Sequence, residues 1–224
     1  MSINTKNPTF IKNIETKIRP AAAKLPQWRW YHGVAFYFII QAITFGLAGL
    51  VSVASGKKGK NARETFFGDV SYFRSLKQAK ITPPSWAFGP AWTINNIAVL
   101  YGQLRVLNMP KDTPGRDEYL TLQAASWLNY ALFNAAYFSL RSPLNAAVLT
   151  LGMLGLTIAS SFVAIFKLKD TKVALSLATL LLWLIIASTA AIAQVAWNRD
   201  DLYNVGPFVA QSGVDEGRNP PGFS

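Results

Sequence analysis

Thr82-Pro83-Pro84-Ser85-Trp86-Ala87-Phe88-Gly89-Pro90-Ala91-Trp92-Thr93 puts a helix start, an internal proline and three aromatic side chains into twelve residues. Thr82 is placed to cap a helix. Pro83 would then take the first helical position, where a missing N–H costs nothing and the fixed φ suits the helix. The spacing predicts a helix over residues 83–107. Pro90 would lie inside it and take the donor from an upstream carbonyl, while Gly89 leaves room for another group to approach. Trp86, Gly89/Pro90, Thr93, Asn96 and Leu100 recur at helical spacing, so one face carries a tryptophan, a notch and two polar groups. Such a face reads as the wall of an intramembrane pocket. The plainer alternative is a proline-kinked membrane helix with an interfacial tryptophan.

Outward from this stretch the chain is built for lipid. Of its 224 residues 51% are hydrophobic, with seven Trp, eight Tyr and fourteen Phe, a balance rare in soluble domains. Apolar segments at about 34–54, 85–107, 120–140, 144–167 and 173–197 are each long enough to cross roughly 30 Å of hydrocarbon at about 1.5 Å per residue. They predict an all-α integral membrane protein of five transmembrane helices. No Asp, Glu, Lys or Arg lies deep in these segments, which argues against a proton relay, a charge-ringed channel or a charge-driven pump. Their polar groups are amides and hydroxyls, notably Gln41, Asn95, Asn96, Gln103, Gln123, Asn129, Asn134 and Gln194. Most should bond between helices, leaving one or two to face a ligand.

The net charge of +11 does not point to nucleic acid, because the basic residues flank apolar spans and suit anionic lipid headgroups. They fall too evenly on the two sides to fix the orientation. With no cysteine there is no disulfide framework, thiolate metal site or cysteine nucleophile, and no metal or Ser-His-Asp constellation suggests an independent metalloenzyme or hydrolase. In the basic segment 1–33, Phe10, Ile11, Ile14 and Ile18 form an apolar stripe, predicting a short amphipathic helix on the membrane surface. Trp28, Trp30, Tyr31 and His32 follow as an interfacial aromatic cluster. His32 is also a candidate axial ligand to a tetrapyrrole metal.

The loop 55–82 carries basic residues such as Arg74, Lys77 and Lys80 with the aromatics Phe66, Phe67, Tyr72 and Phe73. It reads as a lid or as a headgroup-facing loop. Small residues four apart, Ala131/Ala135, Gly155/Ala159 and Ala187/Ala191, permit close helix contact. The third span is the expected homodimer interface, with intramolecular packing the alternative. Beyond residue 198 helical periodicity ends, so 200–224 reads as an irregular tail, disordered or lying along a partner.

Residues 83–93 resemble the signature of the TspO/MBR family of tryptophan-rich sensory proteins, relatives of the translocator protein or peripheral benzodiazepine receptor. The resemblance covers roughly residues 34–199. Tyr137-Phe138-Ser139-Leu140-Arg141-Ser142-Pro143 is similar to the family's Phe-Phe-Gly-x-Arg-x-Pro turn, and Trp183 followed by Ala187, Ser188 and Thr189 is similar to its Trp-x-x-x-Ala-Thr element. Two departures stand out: Gln78-Ala79-Lys80-Ile81 replaces Lys-Pro-x-Trp, and Asn95-Asn96 replaces a Leu-Tyr pair.

The resemblance implies a five-helix TspO-type bundle that binds porphyrin, haem, a chlorophyll-like pigment or a lipid-like amphiphile, without a required cofactor. Trp86, Phe88, Trp92 and Trp183 would supply stacking surface. Gly89 and Pro90 would form the notch, Asn95 and Asn96 the polar contacts, and Ala187 shares the face of Trp183. The light-dependent porphyrin breakdown linked to some relatives is not expected here, because the aromatic set is incomplete. The alternative function is an accessory subunit of a larger membrane complex, for example a photosynthetic pigment-protein assembly, docked through the terminal tails. A bacterial or organellar membrane, plastid/thylakoid or mitochondrial, fits the tails and charge.

Overall fold

The computed structural model describes residues 27–57, 61–67 and 70–209. The surface helix expected near Phe10–Ile18 and the tail beyond residue 209 lie outside them. Among the described residues the chain is all-helical: α1 (Trp30–Ala54), α2 (Ala62–Phe67), α3 (Val70–Ser75), α4 (Phe88–Leu107), α5 (Arg116–Asn134), α6 (Pro143–Phe162) and α7 (Thr171–Trp197). A 3₁₀ turn, Ser85–Ala87, precedes α4, and π-helical turns extend α5 over Ala135–Ser139 and α6 over Val163–Lys167.

Local chemistry sets the ends. At the start of α1 the Arg29 N–H donates to His32 Nδ1 (2.9 Å), half of a capping box. Gly115 precedes α5 at φ 81°, a conformation in which a Cβ is costly. Ser142 Oγ accepts from the Asn145 N–H (3.0 Å) with Pro143 at the first helical position, and Asp170 accepts from the Lys172 and Val173 N–H groups (3.0 and 3.2 Å). Each cap supplies one of the acceptors that the first turn of a helix lacks.

The helix expected at Pro83 begins later. Pro84 is extended (φ −63°, ψ 149°), as is favoured before a helix, and it holds Pro83 out of the α region in turn. Thr82 therefore caps nothing, and its Oγ1 is buried without a hydrogen bond. Pro90 becomes the third residue of α4, where a helical N–H has no intrahelical acceptor. It starts the helix instead of kinking it.

The five long helices close into a ring in the order α1, α5, α6, α7, α4, with the thinnest seam between α4 and α1. Ile40, Val99, Val106, Trp127, Met153, Leu177 and Leu184 fill the centre. The α4–α7 crossing is close because Gly102 faces Ser176. Beside it Gln103 Nε2 donates to Gln123 Oε1 (2.8 Å), Gln123 Nε2 to Ser160 Oγ (2.8 Å) and Trp127 Nε1 to Gln103 Oε1 (3.0 Å), satisfying a buried polar cluster. Ala131 and Ala135 are 3% and 6% exposed, so they pack inside the protomer and do not form an outward strip for a homodimer.

Among the described residues three helical segments are long and apolar enough to cross a membrane: Trp30–Ala54, Pro143–Lys167 and Thr171–Trp197. The five spans expected from the sequence reduce to these three by that criterion, because α4 and α5 carry more polar side chains. The chain past α7 also departs from expectation. Up to residue 209 it is folded onto its own bundle, through an Asp200–Val205 bridge and hydrogen bonds from the Phe208 and Val209 N–H groups to the Ala196 carbonyl (2.9 and 3.0 Å).

Candidate functional site

A cavity of about 380 Å³ lies between all five long helices, in the half of the bundle that holds the start of α4 and the end of α7. Helix α1 contributes Tyr37, Gln41, Thr44 and Phe45, and α4 contributes Phe88, Gly89, Trp92 and Thr93. Helix α5 lines it from Asn129 to Phe138, α6 from Ala146 to Met153, and α7 adds Trp183, Leu184, Ala187, Ala190, Ala191 and Gln194. Phe73, Pro83 and Ser85 close it from the connection between α3 and α4. The volume is within the roughly 300–1,000 Å³ typical of small-molecule sites.

The walls are aromatic and set edge to face. Phe73 meets Phe88 at 5.3 Å, Phe88 meets Trp183 at 5.4 Å, and Trp92 meets Tyr130 at 5.3 Å between ring centroids. Two polar chains cross them. Asn96 Nδ2 donates to the Tyr130 hydroxyl (3.3 Å), which donates to Gln41 Oε1 (2.9 Å), while Gln41 Nε2 donates to the Tyr37 hydroxyl (3.0 Å). The Tyr137 hydroxyl donates to Gln194 Oε1 (2.9 Å), and Gln194 Nε2 donates to Gln78 Oε1 (2.8 Å).

A fully buried polar atom of the lining is left over. Trp183 Nε1 is buried with no hydrogen-bond partner, although Trp183 lines the cavity. An unpaired buried donor costs about 1–3 kcal/mol, so a bound acceptor would be favoured there. Among the described residues no Asp, Glu, Lys, Arg or His lines the cavity. Arg74 reaches the lining from outside, its Nη2 donating to Ser85 Oγ (3.1 Å).

The structure gathers Phe88, Gly89, Trp92, Trp183 and Ala187 of the expected set. Asn96 is buried behind the wall and reaches the cavity through Tyr130; Asn95 is buried outside the lining. Trp86 is 74% exposed, and neither it nor Pro90 lines the cavity. The cause is the late helix start, which leaves Trp86 in the 3₁₀ turn and out of phase with α4. His32 also lies outside the lining, its Nδ1 committed to the α1 cap. Tyr37, Tyr130, Phe133 and Tyr137 were not expected. Their signal was an aromatic–amide alternation at helical spacing on α1 (Tyr37, Gln41, Phe45) and α5 (Tyr130, Phe133, Asn134, Tyr137).

The model of the TspO/MBR family matches residues 38–197, 160 of the 224 residues. The chain belongs to the TspO/MBR family. The match runs from the third turn of α1 to the last residue of α7, so the family core contains the whole described cavity wall except Tyr37. It also makes this a membrane protein, in agreement with the three apolar helices. No match was found among curated proteins.

Proposed function

We propose that this TspO/MBR protein crosses the membrane five times and binds a flat apolar ligand of the tetrapyrrole class in the cavity, acting as a sensor or translocator rather than an enzyme. The observation that carries the reading is an aromatic cavity with no charged side chain among its described lining residues and an unpaired buried donor, Trp183 Nε1. Flat rings fit between edge-to-face aromatics. A carboxylate of such a ligand would stay at the rim near Arg74, because burying it in an uncharged cavity is costly. The five-span reading is supported by the way α4 and α5 are turned. Asn95, Asn96, Gln103 and Gln123 are buried, while Ile94, Ile97, Tyr101, Leu128 and Leu132 face outward, as lipid contact requires.

The test is a titration of the detergent-purified protein with protoporphyrin IX and haem, read by quenching of tryptophan fluorescence. Saturable binding is expected. Trp183→Phe should weaken it about 3–10-fold, the equivalent of one lost hydrogen bond, while Trp86→Phe should leave the affinity unchanged. Absence of saturable binding by a folded protein would overturn the tetrapyrrole assignment and redirect attention to partner subunits.

A further inference from the structure

The segment 76–84 joins two residues of the cavity wall, Phe73 and Ser85, and itself contributes Pro83 to the lining; the end of α7 and the chain just past it are hydrogen-bonded to it. The Lys77 N–H donates to Asn198 Oδ1 (2.8 Å) and the Lys77 carbonyl accepts from Asn198 Nδ2 (3.0 Å). One amide side chain thus pairs with both backbone groups of a single residue, as a neighbouring strand would. The next residue, Gln78, accepts from Gln194 Nε2 and donates to the Phe73 carbonyl (2.6 Å). Phe73 is part of the cavity lining, so the Asn198 contact reaches the ligand space in two steps.

Asn198 is itself fixed from both sides. Its Nδ2 also donates to the Gln194 carbonyl at the end of α7 (2.9 Å). Two residues on, Asp200 is 3% exposed and seated in the turn between α5 and α6. Its Oδ2 accepts from Ser142 Oγ (2.5 Å) and the Leu144 N–H (3.0 Å), and its Oδ1 from the Leu202 and Tyr203 N–H groups (3.0 and 3.2 Å). Four donors on one buried carboxylate make this a firm anchor. The family match ends at Trp197, so Asn198 and Asp200 both lie beyond it.

We infer that residues 198–205 form a clasp that governs how fast ligand passes the cover: Asn198 holds segment 76–84 shut and Asp200 holds Asn198 in place. Neither residue lines the cavity, so both are positioning residues. Releasing the clasp should change exchange rates while leaving the bound state as it is. The inference rests on the cavity being a binding site, and one of its two readouts needs no ligand.

The test uses the full-length protein in lipid nanodiscs. Trypsin cleavage after Lys77 and Lys80 is timed without ligand, and protoporphyrin IX entry and release are followed by stopped-flow quenching. In Asn198→Ala and Asp200→Asn, cleavage should accelerate about tenfold, as expected when local opening loses two hydrogen bonds. Entry and release should both rise by about the same factor, leaving Kd within about twofold. Wild-type cleavage and exchange rates in folded Asn198→Ala would overturn the clasp. A shift in Kd or Tm without faster exchange would overturn it too, since that is what a purely structural role produces. Asn198→Asp keeps the acceptor for the Lys77 N–H and loses the Nδ2 donor, so it serves if the alanine variant does not fold: an intermediate rate supports the clasp and a wild-type rate refutes it. If the wild type takes up no protoporphyrin, the binding reading falls while the cleavage rates still decide the clasp.

Discussion

Gly102→Ala tests whether α4 and α7 touch as closely as described. A Cβ built at Gly102 overlaps Ser176 Oγ, lies 3.1 Å from Ser176 Cβ and comes within 3.4 Å of the Tyr119 hydroxyl. Ser176 Oγ cannot swing away without losing its bond to the Val173 carbonyl (2.7 Å), and Ser176 Cβ can move only with its helix. Two effects oppose each other. Alanine gains about 0.8–1 kcal/mol of helix propensity over glycine, whereas overpacking costs roughly 1–3 kcal/mol. The net expectation is a loss of about 1 kcal/mol. The decisive quantity is the coupling with Ser176→Gly, which removes both clashing atoms and should return about 1–2 kcal/mol to the double variant. Unfolding in mixed micelles with increasing SDS measures all four corners of the cycle. A Gly102→Ala protein stabilised by the full propensity gain, with coupling below about 0.3 kcal/mol, would show that the two helices are not in contact at this residue.

Asp170 lies outside the apolar spans and bonds Arg105 Nε at 2.6 Å. Burial alone would raise its pKa, but the Arg105 guanidinium and the Val173 and Lys172 amides outweigh it and hold the carboxyl below its ordinary value. A depressed folded-state pKa stabilises the protein above the unfolded value, about 3.9, and that contribution is lost as pH falls through the folded value. Asp170→Asn keeps the helix cap and loses the charge, so a deficit of about 1 kcal/mol or less at pH 7 should shrink below about pH 4; a pH-independent deficit in thermal melts would refute the ion-pair account. Gln123→Leu strands the Gln103 donor in the core and should cost about 2–3 kcal/mol in SDS unfolding, with only part of it recovered when Gln103→Leu is added, because the second change strands the Trp127 Nε1 donor in turn. A single-variant cost under about 0.5 kcal/mol would mean the network is not closed as described.

Hydropathy and one motif made much of this architecture readable. The apolar segments marked the five long helices to within a few residues, because buried and lipid-facing residues are both apolar there. Helices α4 and α5 are too polar for the same argument to mark them as spans. Helix α4 exposes Ile94 and Ile97 while hiding Asn95 and Asn96, so its mean hydropathy is low although its outer face is apolar. The site was half legible. Phe88, Trp92 and Trp183 followed from the family resemblance, whereas Trp86, put on the wall by helical spacing, does not line it, because a run of prolines sets the helix phase by backbone restriction and not by side-chain pattern. Tyr130 and Gln194 matter through partners 89 and 116 residues away in Gln41 and Gln78, pairings that no local spacing reveals. Asp200 sits in a stretch rich in Gly, Pro and Asn. Composition suggested disorder there, and four specific hydrogen bonds override it.

The ring order also dictates the order in which the protein can be built. Helix α4 is synthesised second among the long helices, yet it meets α1 only at a thin seam and takes its main packing from α7. Asn96 and Gln103 find their partners, Tyr130 and Gln123, on α5. A nascent chain therefore carries α4 with its amides unmet until α5 arrives, and with its broad face open until α7 leaves the ribosome. The last of the five long helices to be made, α7, is the keystone of the ring, and a chain that stops before it leaves the cavity without one of its walls.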